Sequence, residues 1–365
     1  MSALPKTMRA LVAPRYCAPS DYEIVEMPVP TLDHPDDVLI KVHAATVQTG
    51  DTQIASGKMR IFGKLEKIGS GSAGTVVAVG SGATAFKTGD EVYGTHFAPP
   101  LYPMERDVGA CAEYAVAAEG QLLRKPAHVS FEDASSILGS AVTARQSIRR
   151  ALELMGRPDG TLEGKTVFMP GGLSATGSIG AQMIKNVFGA KKLVTTVSTP
   201  KIPLVEQHLP GVFDEVIDYK TQDVVEQIGR GKADFVYNTQ WDLTGVLPIA
   251  NPDHGVVVSI ASLPPARVLR RVIGPQFVPF WVGWLLALVQ LYYDWKAGSK
   301  IKRDFVSGDL LNKEDLKFVG DLVASGKIKA LVSVVDFSDL EAVRRGCMQV
   351  STGKGGLGKL VLKIV

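Results

Sequence analysis

Between Lys165 and Val197 the chain runs strand, glycine loop, helix, strand, and few folds accommodate that order. Residues 166–169 (Thr-Val-Phe-Met) have strand length and strand composition, a loop follows to Gly177, and 178–188 reads as a helix that stops at Gly189. The next strand is 193–197. Glycines at such a junction let the backbone turn tightly and approach a pyrophosphate, while the helix N-terminus offers free N–H groups and a partial positive charge. Gly171, Gly172, Ser174, Ala175, Thr176 and Gly177 therefore form a candidate dinucleotide-phosphate loop, although glycines also join strands to helices for steric reasons alone. Further apolar runs at 216–217, 234–237 and 255–260 alternate with helix-permissive stretches such as 221–228, which implies a parallel sheet with helices on its faces.

The end of the second strand bears on which dinucleotide fits. Folds that bind NAD usually place an Asp or Glu there for the ribose hydroxyls. Here Ser198, Thr199 and Lys201 follow Val197, and no carboxylate comes before Glu206. Two hydroxyls and an ammonium suit a 2′-phosphate, which favours NADPH; the alternative is a solvated polar loop.

The rest of the chain has a different character. Residues 9–12 and 37–42 read as strands, and from Gly69 to Tyr93 glycines punctuate short Val-rich runs, as in a small, strongly bent barrel. Ser130 caps a helix expected to run to Leu154; further helices are expected at 313–324 and 338–350, and a strand at 359–365. With 365 residues, two domains are expected. The net charge of +3 is spread along the chain with no long Lys/Arg stretch, which argues against nucleic acid as a partner. Three widely separated cysteines, and a start without the apolar run of a signal peptide, point to a reducing, cytoplasmic setting. The six histidines show no paired spacing and read as surface or satisfied core residues.

The start Met8-Arg9-Ala10-Leu11-Val12, the run GSAGTVVAVGSGATAFKTGDEVYG, the run GACAEYAVAAEGQLLRKPAHVSFEDASSILGSAVTA and the glycine loop together resemble the medium-chain dehydrogenase/reductase superfamily. Within it the chain looks like the quinone oxidoreductase and enoyl reductase branches, and its Gly-Gly-Leu-Ser-Ala-Thr-Gly loop is similar to that of fungal stand-alone enoyl reductases serving polyketide synthases. The resemblance implies an α/β protein with a GroES-like, β-barrel-type catalytic domain (1–134 and 300–365) and a doubly wound Rossmann domain (135–299). It also implies a homodimer, formed through a Rossmann edge strand near 255–260 or just after it, and a polyketide synthase as partner. Where the zinc members hold their metal, this chain carries Gln48, Ser70 and Gly71, so no metal site is expected.

Without zinc the expected reaction is hydride transfer to a C=C bond already conjugated to a carbonyl, with hydrogen-bond donors meeting the developing enolate. By resemblance the first catalytic loop (Gln48, Thr49, Asp51, Thr52) and Thr143 lie by the nicotinamide. Asp51 would equally serve as a helix cap, and Thr143 would equally bond its own helix. Arg145 stands where relatives often have an aromatic. Tyr219 is implied near the adenosine 2′-phosphate, with a half-buried surface tyrosine as the alternative. Asn238 to Gln240 with Ser259, Ile260 and Ala261 are implied near the carbonyl side of the cofactor, as are Gly358 and Lys359 on the returning C-terminal segment.

One stretch stands outside this pattern: 22 residues from Val272 to Tyr293 carry no formal charge. Pro275 and Pro279 confine an unbroken helix to about 280–295, roughly 24 Å at 1.5 Å per residue, which is short of a ~30 Å hydrocarbon core. An apolar pocket wall or dimer surface, or a peripheral lipid contact through 272–293, remains open; each points to a lipophilic substrate or setting. The leading expectation is an NADPH-dependent enoyl or enone reductase. A quinone oxidoreductase and a catalytically silent dinucleotide-binding protein on a lipid surface are the alternatives.

Overall fold

The computed structural model describes residues 4–59, 65, 67–97, 109–353 and 356–365. The chain forms two compact units, Met1–Gly139 with Asp309–Ala324 and Ala330–Val365, and Ser140–Gly308 with Ser325–Lys329. Against the expected limits at 134/135 and 299/300, the units divide at 139/140 and 308/309, and 325–329 falls with the second unit. The helix Phe131–Leu154 spans the first limit, and the strand Lys302–Phe305 joins the second unit's sheet.

The first unit is built on a seven-stranded sheet around the strand Asp37–Val47. Along DVLIKVHAATV only Lys41 is fully exposed, as expected for a strand covered on both faces. Its first half pairs with Tyr114–Ala118, its second half with Lys359–Lys363, and Gly71–Val79 runs antiparallel along both halves with register shifts at Leu39/Ile40 and Val42/Ala44. Such irregularities bend a sheet. The core beneath joins Tyr22, Ile40, Val42, Phe337, Cys347 and Leu362. All three cysteines are buried and unbridged. His96 is buried with Nε2 2.7 Å from the Ser72 hydroxyl and Nδ1 2.8 Å from the Val116 carbonyl, a satisfied core histidine.

The second unit is a six-stranded, all-parallel sheet. In spatial order its strands are Glu215–Asp218, Lys192–Val197, Thr166–Pro170, Phe235–Asn238, Val256–Ser259 and Lys302–Phe305. Numbered along the chain this is 3-2-1-4-5-6, the doubly wound order, in which a dinucleotide lies across the carboxyl ends where the order reverses. Phe168, Val194, Ile217, Val236 and Val257 form one buried apolar face. The edge strand, Lys-Arg-Asp-Phe, is fixed by ion pairs: Asp304 takes Arg150 at 2.7 Å and also Arg267, while Arg303 reaches Asp294 at 2.7 Å. The run 272–293 falls in a short helix, Ala266–Ile273, a single 3₁₀ turn and the helix Phe280–Ala297. Among the described residues no helix is long and apolar enough to cross a membrane.

Candidate active site and cofactor cradle

The switch point lies between Thr166–Pro170 and Phe235–Asn238, and the glycine loop leaves it directly. Gly171 takes φ +72°, a conformation costly for any residue with a Cβ, and its N–H donates to the Thr196 carbonyl at 3.1 Å. Ser174 caps the helix, its hydroxyl accepting from the Gly177 N–H at 3.1 Å. The helix therefore begins at Ala175, three residues ahead of the expected Ser178, and runs to Gln182 before widening into a π turn at Met183–Val187. Ala175 and Thr176 occupy its first two positions, where N–H groups have no intrahelical partner and face an incoming anion. A Cβ on Gly177 would lie 2.4 Å from the Gly171 carbonyl oxygen and 2.7 Å from the Ser174 hydroxyl; on Gly172 it would lie 2.6 Å from Thr195 Oγ1. Backbone approach this tight is what a pyrophosphate cradle needs, so these residues fit the dinucleotide.

The flanks are equally well tied. The Thr239 hydroxyl donates to the Pro170 carbonyl at 2.5 Å, joining the two strand ends at the switch point. Asn238, fully buried, donates from Nδ2 to Gln240 O at 2.8 Å and to Ser259 Oγ at 3.1 Å, and Ser259 Oγ accepts from the N–H groups of Ala261 and Ser262. Ile260 N–H donates to the Asn238 carbonyl at 3.0 Å. Asn238 Oδ1 also accepts from the Gln240 N–H at 3.3 Å, so Asn238→Ala removes three side-chain hydrogen bonds, and a loss of about 2–3 kcal/mol is expected in a urea melt.

Across the sheet, Ser198 and Thr199 end the strand Lys192–Val197, with Lys201 partly buried just beyond and its ammonium pulled below the usual lysine range by burial. Tyr219 is half exposed; its N–H donates to the Val197 carbonyl at 3.2 Å, which brings it beside Ser198. The structure adds Asp218 to this group. The Thr199 hydroxyl and the Lys220 N–H, the latter at 2.9 Å, hold the Asp218 carboxyl below the usual range. Sequence order hid this carboxylate, since it arrives from the neighbouring strand.

Thr143 sits mid-helix, its carbonyl accepting from Ser147 Oγ at 2.7 Å, and a Cβ on Gly308 would lie 2.5 Å from its hydroxyl. Arg145 lies with its guanidinium 5.6 Å from the Phe188 ring centroid.

The first unit carries a separate polar cluster. Gln48 precedes the helix Thr49–Ala55, and Asp51, at its third position, accepts from the Gln48 N–H at 2.9 Å. The helix thus starts at Thr49, and Asp51, inside its first turn, closes a capping box on Gln48. The capping carboxyl is also buried, next to the Ser70 hydroxyl and the Lys359 ammonium, and burial raises it to about 7 against those three stabilising partners. Lys359 donates to Gln48 Oε1 at 3.2 Å, and burial lowers its ammonium to about 8 despite the nearby Asp51. Thr52 is fully buried and spends its hydroxyl on the Thr49 carbonyl at 3.0 Å, whereas Thr49 is exposed. Of the four first-loop residues, Gln48 and Asp51 are therefore joined with Lys359, which the resemblance had grouped with the cofactor contacts; Gly358 precedes it at the start of the last strand. Cys111 and Cys347 line the same pocket of core, their thiols pushed up by burial, and are chemically quiet. Among the described residues no cluster of three His, Cys, Asp or Glu side chains could hold a metal ion.

Two family models match, the alcohol dehydrogenase GroES-like domain over residues 34–127 and the zinc-binding dehydrogenase domain over 213–362. The chain belongs to the medium-chain dehydrogenase/reductase superfamily. It is 32% identical to a 2-methylene-furan-3-one reductase of Solanum lycopersicum over 63% of this chain, and spans 56% of that relative's length. A trans-enoyl reductase of Aspergillus terreus is 28% identical over 90% of this chain and 87% of its own. The fold matches the quinone oxidoreductase of Coxiella burnetii with a TM-score of 0.76 at 23% identity, covering 99% and 100% of the two chains. The superfamily's GroES-like and Rossmann parts correspond to the bent seven-stranded sheet and the 3-2-1-4-5-6 sheet described above.

Proposed function

We propose that the protein is an NADPH-dependent reductase of C=C bonds conjugated to a carbonyl, acting on a lipophilic small molecule. The observation that carries this reading is the Gln48–Asp51–Lys359 cluster, an ammonium lowered to about 8 beside a side-chain amide, at a loop that by resemblance matches a zinc ligand position in the metal-binding members. The relatives' names support it: a furanone reductase, an NADPH-dependent alkenal/one oxidoreductase and trans-enoyl reductases, which are proteins of this superfamily acting on conjugated carbonyls or enoyl groups.

When bound, NADPH supplies a hydride. The loop from Gly171 to Gly177 would hold the pyrophosphate through the Ala175 and Thr176 N–H groups; Ser198, Lys201 and Tyr219 would take the 2′-phosphate, with the Thr199 hydroxyl holding the Asp218 carboxylate; Ser259, Ile260 and Ala261 would serve the nicotinamide end. In reduction of a conjugated C=C bond the electron pair moves toward the carbonyl oxygen, to which the Gln48 amide and Thr49 hydroxyl would offer hydrogen bonds. The Lys359 ammonium gives its proton to the α-carbon and regains one from solvent. Asp51 keeps that ammonium charged, and by the resemblance Thr143 would serve the nicotinamide side.

Lys201→Ala is expected to weaken NADPH about 10- to 150-fold and leave NADH unchanged, since a charge-assisted phosphate bond is worth roughly 1.5–3 kcal/mol. Equal loss for both cofactors, measured by fluorescence titration, would remove Lys201 from the 2′-phosphate. For the activity itself, stopped-flow mixing with α,β-unsaturated ketones, α,β-unsaturated thioesters and quinones separates the readings. NADPH oxidation with the first two classes is expected; oxidation by quinones alone, or cofactor binding without turnover, would overturn the assignment.

A further inference from the structure

The helix Phe280–Ala297 presents its more apolar face outward. Phe280, Trp284, Leu288, Leu291 and Trp295 recur at three- and four-residue spacing with Trp281 beside them, all well exposed, up to 76% for Phe280 and 73% for Trp295. The opposite side is the packed one: Leu286 is buried, and Tyr293 and Ala297 lie against the core of the parallel sheet. Aromatic side chains carry ~150–250 Å² each, so this face shows on the order of 800 Å² of contiguous apolar surface, above the ~300–600 Å² of the largest patch on a typical monomer.

The charges beside this face say what covers it. Of the seven Lys and Arg in 266–303, Arg267, Lys300 and Arg303 are ion-paired with Asp304, Asp253 and Asp294, and outside those pairs stand Arg270, Arg271, Lys296 and Lys302. Arg270 and Arg271 are exposed on the neighbouring helix Ala266–Ile273, and the Arg270 guanidinium lies 3.1 Å from where a Cβ on Gly283 would stand, at one border of the face. At the other border Lys296 Nζ sits 5.9 and 5.1 Å from the ring centroids of Tyr292 and Trp295. Tryptophan and tyrosine rimmed by lysine and arginine match the boundary between lipid headgroups and acyl chains. A second copy would bring the same positive borders together across a two-fold axis, which disfavours it.

We propose that this face lies flat on an anionic phospholipid bilayer, its tryptophans and leucines at the acyl boundary and Arg270, Arg271 and Lys296 among the headgroups. At 18 residues the helix is about 27 Å long, so it rests on the bilayer and does not cross it. The proposal is independent of the reductase reading.

Flotation of the full chain with phosphatidylcholine vesicles, with and without phosphatidylserine, tests it. Binding to the phosphatidylserine vesicles is expected, roughly tenfold above pure phosphatidylcholine and weakened by salt. Three of the four tryptophans lie on this face, so brominated lipid should quench most of the intrinsic fluorescence. Trp284→Glu with Leu288→Glu should abolish flotation while NADPH binding and the melting temperature stay unchanged. Lack of flotation and of quenching with either vesicle would overturn the proposal. So would a concentration-dependent dimer that Trp284→Glu dissociates in the absence of vesicle binding, which would assign the face to a second copy.

Discussion

Lys359→Met is expected to lower kcat with a conjugated enone by roughly 10²–10⁴-fold while NADPH affinity stays within about threefold, the range for loss of a positioned general acid. Methionine keeps the length of the apolar stem and removes only the charge and the donor that reaches Gln48. The pH dependence gives a readout that a structural role would not move. The reacting form needs Lys359 protonated, so activity falls as pH rises through about 8, and it needs Asp51 ionised, so activity also falls as pH drops through about 7. The two limbs belong to the coupled pair and not to either residue alone. Lys359→Arg keeps the positive charge but cannot release its proton in this range, so kcat should fall as in Lys359→Met and the alkaline limb near 8 should disappear. A Lys359→Met enzyme with undiminished kcat, or an alkaline limb unmoved in Lys359→Arg, would remove Lys359 from proton transfer.

Gly177→Val is expected to weaken NADPH by at least about 100-fold. Its Cβ would stand 2.4 Å from the Gly171 carbonyl oxygen, which is backbone and cannot swing aside as a side-chain tip can. The loop must open, and Ser174 then loses its bond to the Gly177 N–H. Two of the cradle's determinants fail together, roughly 3 kcal/mol in all. Isothermal titration with NADPH measures the loss, and circular dichroism shows whether the parallel sheet survives; near-normal affinity would place the pyrophosphate elsewhere.

The doubly wound half was legible because its buried strands are short apolar runs and its glycine loop announces a strand-to-helix turn. Thr166–Pro170, Lys192–Val197 and Val256–Ser259 lie within two residues of where periodicity places them. The edge strand Lys302–Phe305 was not legible: three of its four residues are charged, and it is held by an ion pair to Arg150, far along the chain, and by a local one to Asp294. Asp218 escaped for a related reason, since parallel pairing sets side by side strand ends that are some twenty residues apart in sequence. Gln48, Asp51 and Lys359 were each visible as candidates. Their union was not, because it depends on the last strand pairing with Asp37–Val47, a contact more than 300 residues apart. The helix start at Phe280 was readable from Pro279, yet the outward direction of its apolar face is set by which side the sheet covers.

The most direct test of the central claim is product analysis by NMR after turnover of an α,β-unsaturated ketone with NADPH in D₂O. Transfer of hydride to the β-carbon and of a solvent-derived proton to the α-carbon should yield the saturated ketone with one deuterium at the α-position and the carbonyl intact. An allylic alcohol, formed by reduction of the carbonyl with the C=C bond retained, would contradict it.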